Sequence, residues 1–233
     1  MLLEGKTAIV TGAGRGLGRS HALAHHHHPG AEIVALVNRS VAALPRELQS
    51  YPLFRDFHAA LEATQPDVVV IATYSDSHAD YACAALEQGA HVFVEKPLAT
   101  TVSDARRVVE TARRTGLKLV VGYILRHHPS WMRLIAEARA LGGPYVFRLN
   151  LNQQSTGPAW EVHKALMRTT PPIVDCGVHY VDVMCQITDA PPVRVHGMGL
   201  RLSDEIAEDM YNYGQFQVVF ADGSVGWYEA GWG

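Results

Sequence analysis

A lysine, an aspartate and a histidine are the residues with which this chain could move a proton. Lys96 stands in Glu95-Lys96-Pro97, which closes the strand-like run His91-Val-Phe-Val94. Asp175 and His179 open the segment Asp175-Cys-Gly-Val-His179-Tyr-Val-Asp182. They are four residues apart, hence one above the other if the stretch is helical. A buried lysine near other cationic groups loses basicity and can exchange a proton near neutral pH. An imidazole titrates in the same range and is the natural base for a secondary alcohol. Asp175 could accept a substrate hydroxyl or hold Lys96 or His179 in position. The competing reading is a helix with ordinary polar positions. Asp182, three beyond His179, reads as a supporting or structural partner near the same face.

A second constellation lies near the amino terminus. Thr11-Gly-Ala-Gly-Arg-Gly-Leu-Gly18 follows a strand-like run and opens a helical pattern. In that context glycines permit a tight turn and let a diphosphate approach backbone N–H groups at a helix start. Gly12, Gly14, Gly16, Leu17 and Gly18 are therefore candidate dinucleotide contacts, with a plain glycine-rich turn as the alternative. About twenty residues on, where a carboxylate would hold the ribose of NAD, stand Asn38-Arg39-Ser40. A guanidinium and a hydroxyl suit a 2′-phosphate, which favours NADP over NAD. Arg39 as a solvated surface charge is the competing reading. Thr73, Tyr74 and His78 follow another strand-like run, at the rim where the nicotinamide half would lie. Glu95 and Lys96 join this set.

The elements that must position these residues fall into two rhythms. Thr7–Val10, Glu32–Val37, Asp67–Ala72, His91–Val94 and Lys118–Val121 are continuously apolar, as expected of parallel strands covered on both faces. Between them Gly16–His28, Phe57–Thr64, His78–Gln88 and Val102–Arg114 read as crossover helices. Asp76 or Ser77 could cap the third and Ser103 the fourth. This predicts an α/β, doubly wound Rossmann-type sheet over residues 1–122. Residues 123–233 change rhythm. A helix is expected over Ser130–Ala140, a strand over Tyr145–Asn152, a loop over Gln153–Pro158 and a helix over Ile173–Ile187. Strands follow at Val193–Leu200, Asn212–Phe220 and Ser224–Tyr228, the last after the turn Ala221-Asp-Gly223. The expectation is an α+β domain with a largely antiparallel open sheet for substrate binding or oligomerisation. The sequence ends at Gly231-Trp-Gly233, directly after a strand, so an incomplete sheet and a carboxyl-terminal truncation are expected.

A net charge of −3 offers no basic field for nucleic acid or an acidic membrane. The apolar runs are strand-sized, too short to span a bilayer, and no signal-peptide pattern precedes the first strand. Cys83, Cys176 and Cys185 are an odd number without metal-type spacing, which fits reduced thiols and a cytoplasmic location. No metal site is expected. His25 to His28 could hold a metal adventitiously or be a tag remnant, but histidines at a helix end are the preferred reading.

These segments together resemble the Gfo/Idh/MocA family of nicotinamide-dependent sugar and polyol oxidoreductases. Glu95-Lys96-Pro97 and Val178 to Asp182 are the specific matches. The glycine motif departs from the family's usual spacing and is similar to that of short-chain dehydrogenases. Those enzymes, however, need a tyrosine followed four residues later by lysine, and none of the nine tyrosines is so placed. The resemblance implies that Lys96 reaches the reacting oxygen and the nicotinamide ribose, and that Tyr123 begins the second domain. Tyr123, Arg126, Trp160, His163 and Lys164 are then candidates for the substrate side. The implied activity is hydride transfer between NAD(P) and a secondary alcohol or ketone of a sugar or cyclitol-like substrate. The implied assembly is a homo-oligomer built on the second sheet. The alternative is a nucleotide-binding but catalytically inactive sensor or paralogue.

Overall fold

Alternating side chains of adjacent strands enter two different cores in the first half of the chain. Ile9, Val69 and Ile71 pack with Phe57, Leu61, Ala82 and Leu86. Val10 and Val70 pack with Ala22, Leu36 and Leu48. A sheet buried on both faces needs apolar residues at every position, which is why these runs do not alternate. The chain is described here by a computed structural model covering residues 4–39 and 44–233. It divides into two compact units, Met1–Gly122 and Tyr123–Gly233.

The first unit contains β1 (Lys6–Thr11), α1 (Gly16–His27), β2 (Ala31–Val37), β3 (Leu53–Phe54), α2 (Phe57–Thr64) and β4 (Val68–Ile71). It continues with α3 (His78–Glu87), β5 (His91–Val94), α4 (Val102–Thr115) and β6 (Leu119–Val121). The strands form one parallel sheet in the order β3-β2-β1-β4-β5-β6. The Rossmann-type expectation holds. Two capping expectations do not. Helix α4 is capped by Thr101, whose hydroxyl accepts from Asp104 N, rather than by Ser103. Before α3 lies a 3-10 turn over Ser75–Ser77 without a side-chain cap; the Ser77 hydroxyl donates to Tyr74 O. At the base of the sheet Asp67 accepts from Lys6 Nζ, Thr7 N and the Thr7 hydroxyl, pinning the start of β1.

The second unit contains α5 (Pro129–Leu141), β7 (Val146–Gln153), α6 (Pro158–Leu166), α7 (Pro172–Asp175) and α8 (Gly177–Thr188). Then come β8 (Pro192–Leu200), β9 (Tyr213–Phe220) and β10 (Val225–Trp232). The sheet order is β7-β10-β9-β8; β10 runs parallel to β7 and the other pairs are antiparallel. One face carries helices: Met167, Cys176 and Met184 pack on Val218, Phe220, Tyr228, Ala230 and Trp232. Helix α5 packs on α8 through Ile135, Val183 and Ile187. Among the described residues no helix of this unit covers the other face, where Trp227 remains 37% exposed beside the Arg148 guanidinium. Strand β10 accordingly alternates, burying Gly226, Tyr228, Ala230 and Trp232. The helix expected over Ile173–Ile187 is two helices. At the joint the His179 amide donates to Cys176 O, three residues back, which tightens the turn. Helix α6 was not foreseen from the pattern; it starts on Pro158, a favoured first helical residue. No helix among the described residues is long and apolar enough to cross a membrane.

Candidate functional site

The first unit brings its candidate residues to one rim of the sheet, because parallel strands put all their carboxyl ends on the same side. Gly12 follows β1 with φ +67°, and a Cβ there would strike the carbonyl oxygen of Ala72. Gly18, one turn into α1, would drive a Cβ into the backbone of Thr11 and Gly12. Only glycine fits either place, so β1, β4 and α1 close up around the turn. Helix α1 begins at Gly16, with no side-chain cap and no acidic residue in its first turn. An uncapped positive helix end beside a backbone with no side chains fits an anionic diphosphate. Gly14 N donates to Asn38 Oδ1 at 3.3 Å, tying the turn to the end of β2. Leu17 and Arg39 are exposed, and Ser40 lies outside the described residues.

Tyr74 receives the Arg15 guanidinium on its hydroxyl at 2.7 Å, and Thr73 pairs with Ser77 at 2.6 Å. His78 is 1% exposed. Its ring nitrogens meet the carbonyls of Pro97 at 2.7 Å and Thr73 at 3.1 Å. Both nitrogens thus face backbone carbonyls, and His78 fastens the loop after β4 to the turn that follows Lys96. The Lys96–Pro97 peptide is cis. Lys96 is half-buried and Glu95 is buried, with His21 Nε2 2.8 Å from Glu95 Oε1. The motif alone did not connect the histidine in α1 with Glu95, 74 residues away.

In the second unit Asp175 ends α7 and His179 lies in the first turn of α8, so they are sequential rather than stacked on one helix. Both are half-buried. The Tyr123 ring stands edge-on to His179, with centroids 6.2 Å apart. Burial, and then the Asp182 charge, push the Tyr123 phenol above its ordinary value. Arg126 forms a two-pronged pair with Asp182, at 2.9 Å through Nε and 2.5 Å through Nη2, and Gln186 also donates to Asp182. The guanidinium proposed for substrate therefore braces α8 against the Tyr123 segment.

Helix α6 collects the remaining candidates. Trp160 Nε1 and Lys164 Nζ donate to the two carboxylate oxygens of Glu205, at 3.0 and 2.7 Å. Lys164 also pairs with Glu161. His163 stacks on Trp232 at 4.2 Å and lies 2.6 Å from the Ser155 hydroxyl. Burial lowers its basicity, against a smaller opposing pull from the Asp175 charge. A cleft of about 660 Å³ opens here, lined by Gln153, Ser155, Trp160, Glu205, Asn212 and Trp232 among others. Aromatic faces set among hydrogen-bonding groups suit a hydroxylated ring. Sequence reading missed Ser155, Glu205 and Trp232, which lie in loops or in a strand read as ending earlier. No cluster of metal-ligand type occurs among the described residues, His25 to His28 included.

Comparison with known proteins agrees with this architecture. The oxidoreductase family with an NAD-binding Rossmann fold, GFO_IDH_MocA, matches residues 6–123, and the GFO/IDH/MocA C-terminal domain matches residues 131–233. Inositol 2-dehydrogenase of Paracoccus denitrificans is 32% identical over 166 residues, which are 69% of this chain and 47% of that protein. D-glucoside 3-dehydrogenase of Escherichia coli is 28% identical over 195 residues, 81% of this chain and 55% of that one. The crystal structure of scyllo-inositol dehydrogenase from Lactobacillus casei with NAD(H) and scyllo-inositol has the same fold. It superimposes with a TM-score of 0.81 at 21% identity, covering 97% of this chain and 69% of that one. The chain spans about half the length of the curated relatives it matches. With both parts of the chain matched in order by the two halves of one family, it belongs to the Gfo/Idh/MocA oxidoreductases.

Proposed function

We propose that this protein is an NAD(P)-dependent oxidoreductase acting on a secondary alcohol or ketone carbon of a cyclitol or sugar. The observation that carries this reading is the rim of the first sheet. The glycine turn after β1 and Lys96 after β5 lie on the same side, two strands apart, or roughly 10 Å. Dinucleotides bind across the carboxyl ends of such strands. The relatives' substrates, inositols and a glucoside, support a hydroxyl-rich ring as the substrate class.

When bound, the nicotinamide supplies the hydride chemistry. The residues of this chain do the rest. Gly12, Gly14, Gly16, Leu17 and Gly18 cradle the diphosphate. Thr73, Tyr74 and Glu95 serve the nicotinamide half, and His78 ties the loop that carries Thr73 and Tyr74 to the turn after Lys96. Lys96 donates to the reacting oxygen and polarises it. His179 takes or returns the hydroxyl proton, with Asp175 orienting it. Tyr123, Trp160, His163 and Lys164 serve the substrate, with Arg126 acting through Asp182. NADP is the preferred cofactor, since Asn38 and Arg39 at the end of β2 offer a guanidinium and no carboxylate.

The test is a panel of inositols and aldoses with both cofactors. Turnover of at least one polyol is expected, with Lys96→Ala losing about a hundredfold or more in kcat while still binding NADPH. Unchanged turnover in that variant would remove Lys96 from the mechanism, and dinucleotide binding without any turnover would mark a sensor instead. Arg39→Ala should weaken NADPH far more than NADH; equal weakening defeats the NADP assignment.

A further inference from the structure

Glu95 is the first residue past β5, and its side chain is only 7% exposed. Its Oε1 lies 2.8 Å from His21 Nε2. Its Oε2 is buried and has no hydrogen-bond partner among the described residues. The carboxylate is fitted closely, since a Cβ on Gly122 would stand 2.8 Å from Oε2. His21 belongs to α1, the helix that the glycine turn opens, and its ring packs 4.8 Å from Phe93 on β5. A buried carboxylate oxygen without a donor is costly, so native folds rarely keep one without a use. This one sits at the carboxyl rim of a parallel sheet, where ligands of such sheets bind.

We propose that His21 is a positioning residue for the cofactor. By holding Oε1, it turns Oε2 of Glu95 toward an N–H or O–H donor of the nicotinamide–ribose half. This rests on the dinucleotide reading above and extends it to a residue outside the assigned contacts. The pair also has a mechanical consequence. The helix that receives the diphosphate and the residue beside Lys96 are joined by one hydrogen bond, so cofactor seating and lysine placement move together. A side chain that only filled space would act through the tilted ring contact with Phe93; a positioning side chain acts through the donor on Nε2. Those two roles separate experimentally.

The experiment measures binding of ADP, ADP-ribose and NADH by calorimetry to wild type, His21→Phe and His21→Gln. Phenylalanine keeps a ring against Phe93 and removes the donor. Glutamine loses the ring but carries an amide nitrogen out to the place of Nε2. The expected result is about a tenfold loss of NADH affinity in His21→Phe, the scale of one hydrogen bond to a charged group, with ADP affinity unchanged. His21→Gln should keep most of the NADH affinity. A loss seen already with ADP-ribose places the donor on the ribose hydroxyls, and a loss confined to NADH places it on the carboxamide. NADH affinity retained by phenylalanine, equal losses in both variants, or parallel losses for ADP and NADH would overturn the proposal. If His21→Phe does not fold, His21→Leu serves as the variant without a donor. Wild type that binds NADH but oxidises no polyol would defeat the reaction proposed above and leave this inference standing. Wild type that gains no affinity from the nicotinamide half over ADP would defeat this one.

Discussion

In the first unit the rim is shaped by backbone: Gly12 and Gly18 stand where no side chain fits, and His78 holds two carbonyls. In the second unit the polar groups grip one another instead. Arg126 holds Asp182, Lys164 and Trp160 hold Glu205, and His163 rests between Ser155 and Trp232. A turn built of backbone tolerates almost no change, and under the function proposed above it would meet the part that every dinucleotide shares. A set of side-chain pairs can be exchanged piece by piece, which under the proposed function would suit selection among hydroxylated substrates. The sheets differ in the same sense, the first covered on both faces and the second on one.

The largest effect that would test this contrast comes from Gly12→Ala. A positive φ and a collision with the Ala72 carbonyl should cost about 3 kcal/mol in urea unfolding and abolish dinucleotide binding. Near-normal binding would show that the turn has more room than its glycines suggest. Asp182→Asn comes next. Arg126 is half exposed and can turn to water, so removing the charge should cost about 1–2 kcal/mol in the same assay. A penalty equal to that of Gly12→Ala would erase the distinction between the units. The smallest effect concerns Asp67, a side-chain clamp inside the unit dominated by backbone. Its hydrogen bond from Lys6, and then that from Thr7 N, hold its carboxyl down to about 2. A depressed folded value means that the contribution is fully present above the ordinary 3.8 and is lost as pH falls through about 2. Because the carboxylate is 35% exposed, solvent screening reduces that contribution to on the order of 1 kcal/mol. Asp67→Asn should therefore flatten the acid limb of stability between those two values, and an unchanged limb would assign acid sensitivity elsewhere.

Much of the first unit could be read directly from the chain. Strand β5 and helix α2 fall on the residues expected, because a doubly buried strand and a short amphipathic helix each leave a local signature. Strand β3 did not show, since two residues carry no periodicity. In the second unit α6 was hidden by Glu161, His163 and Lys164, whose polarity resembles a loop until Glu205 and Trp232 are seen to receive Lys164 and His163. The break at Cys176 was invisible too, because both sides of it are helix-forming and only the bonding pattern changes.

What the amino-acid order determined alone was the alternation of strands and helices, the glycine turn and the placement of Lys96 at a strand end. Each depends on neighbours a few residues apart. Only the tertiary structure decided which distant side chains meet. Glu95 finds His21, Asp182 finds Arg126, and Tyr228 is buried at the base of the second core with 1% of its surface exposed. Periodicity is a local property of the chain, whereas those partners are chosen by how packed elements cross, and no spacing along the sequence encodes that directly.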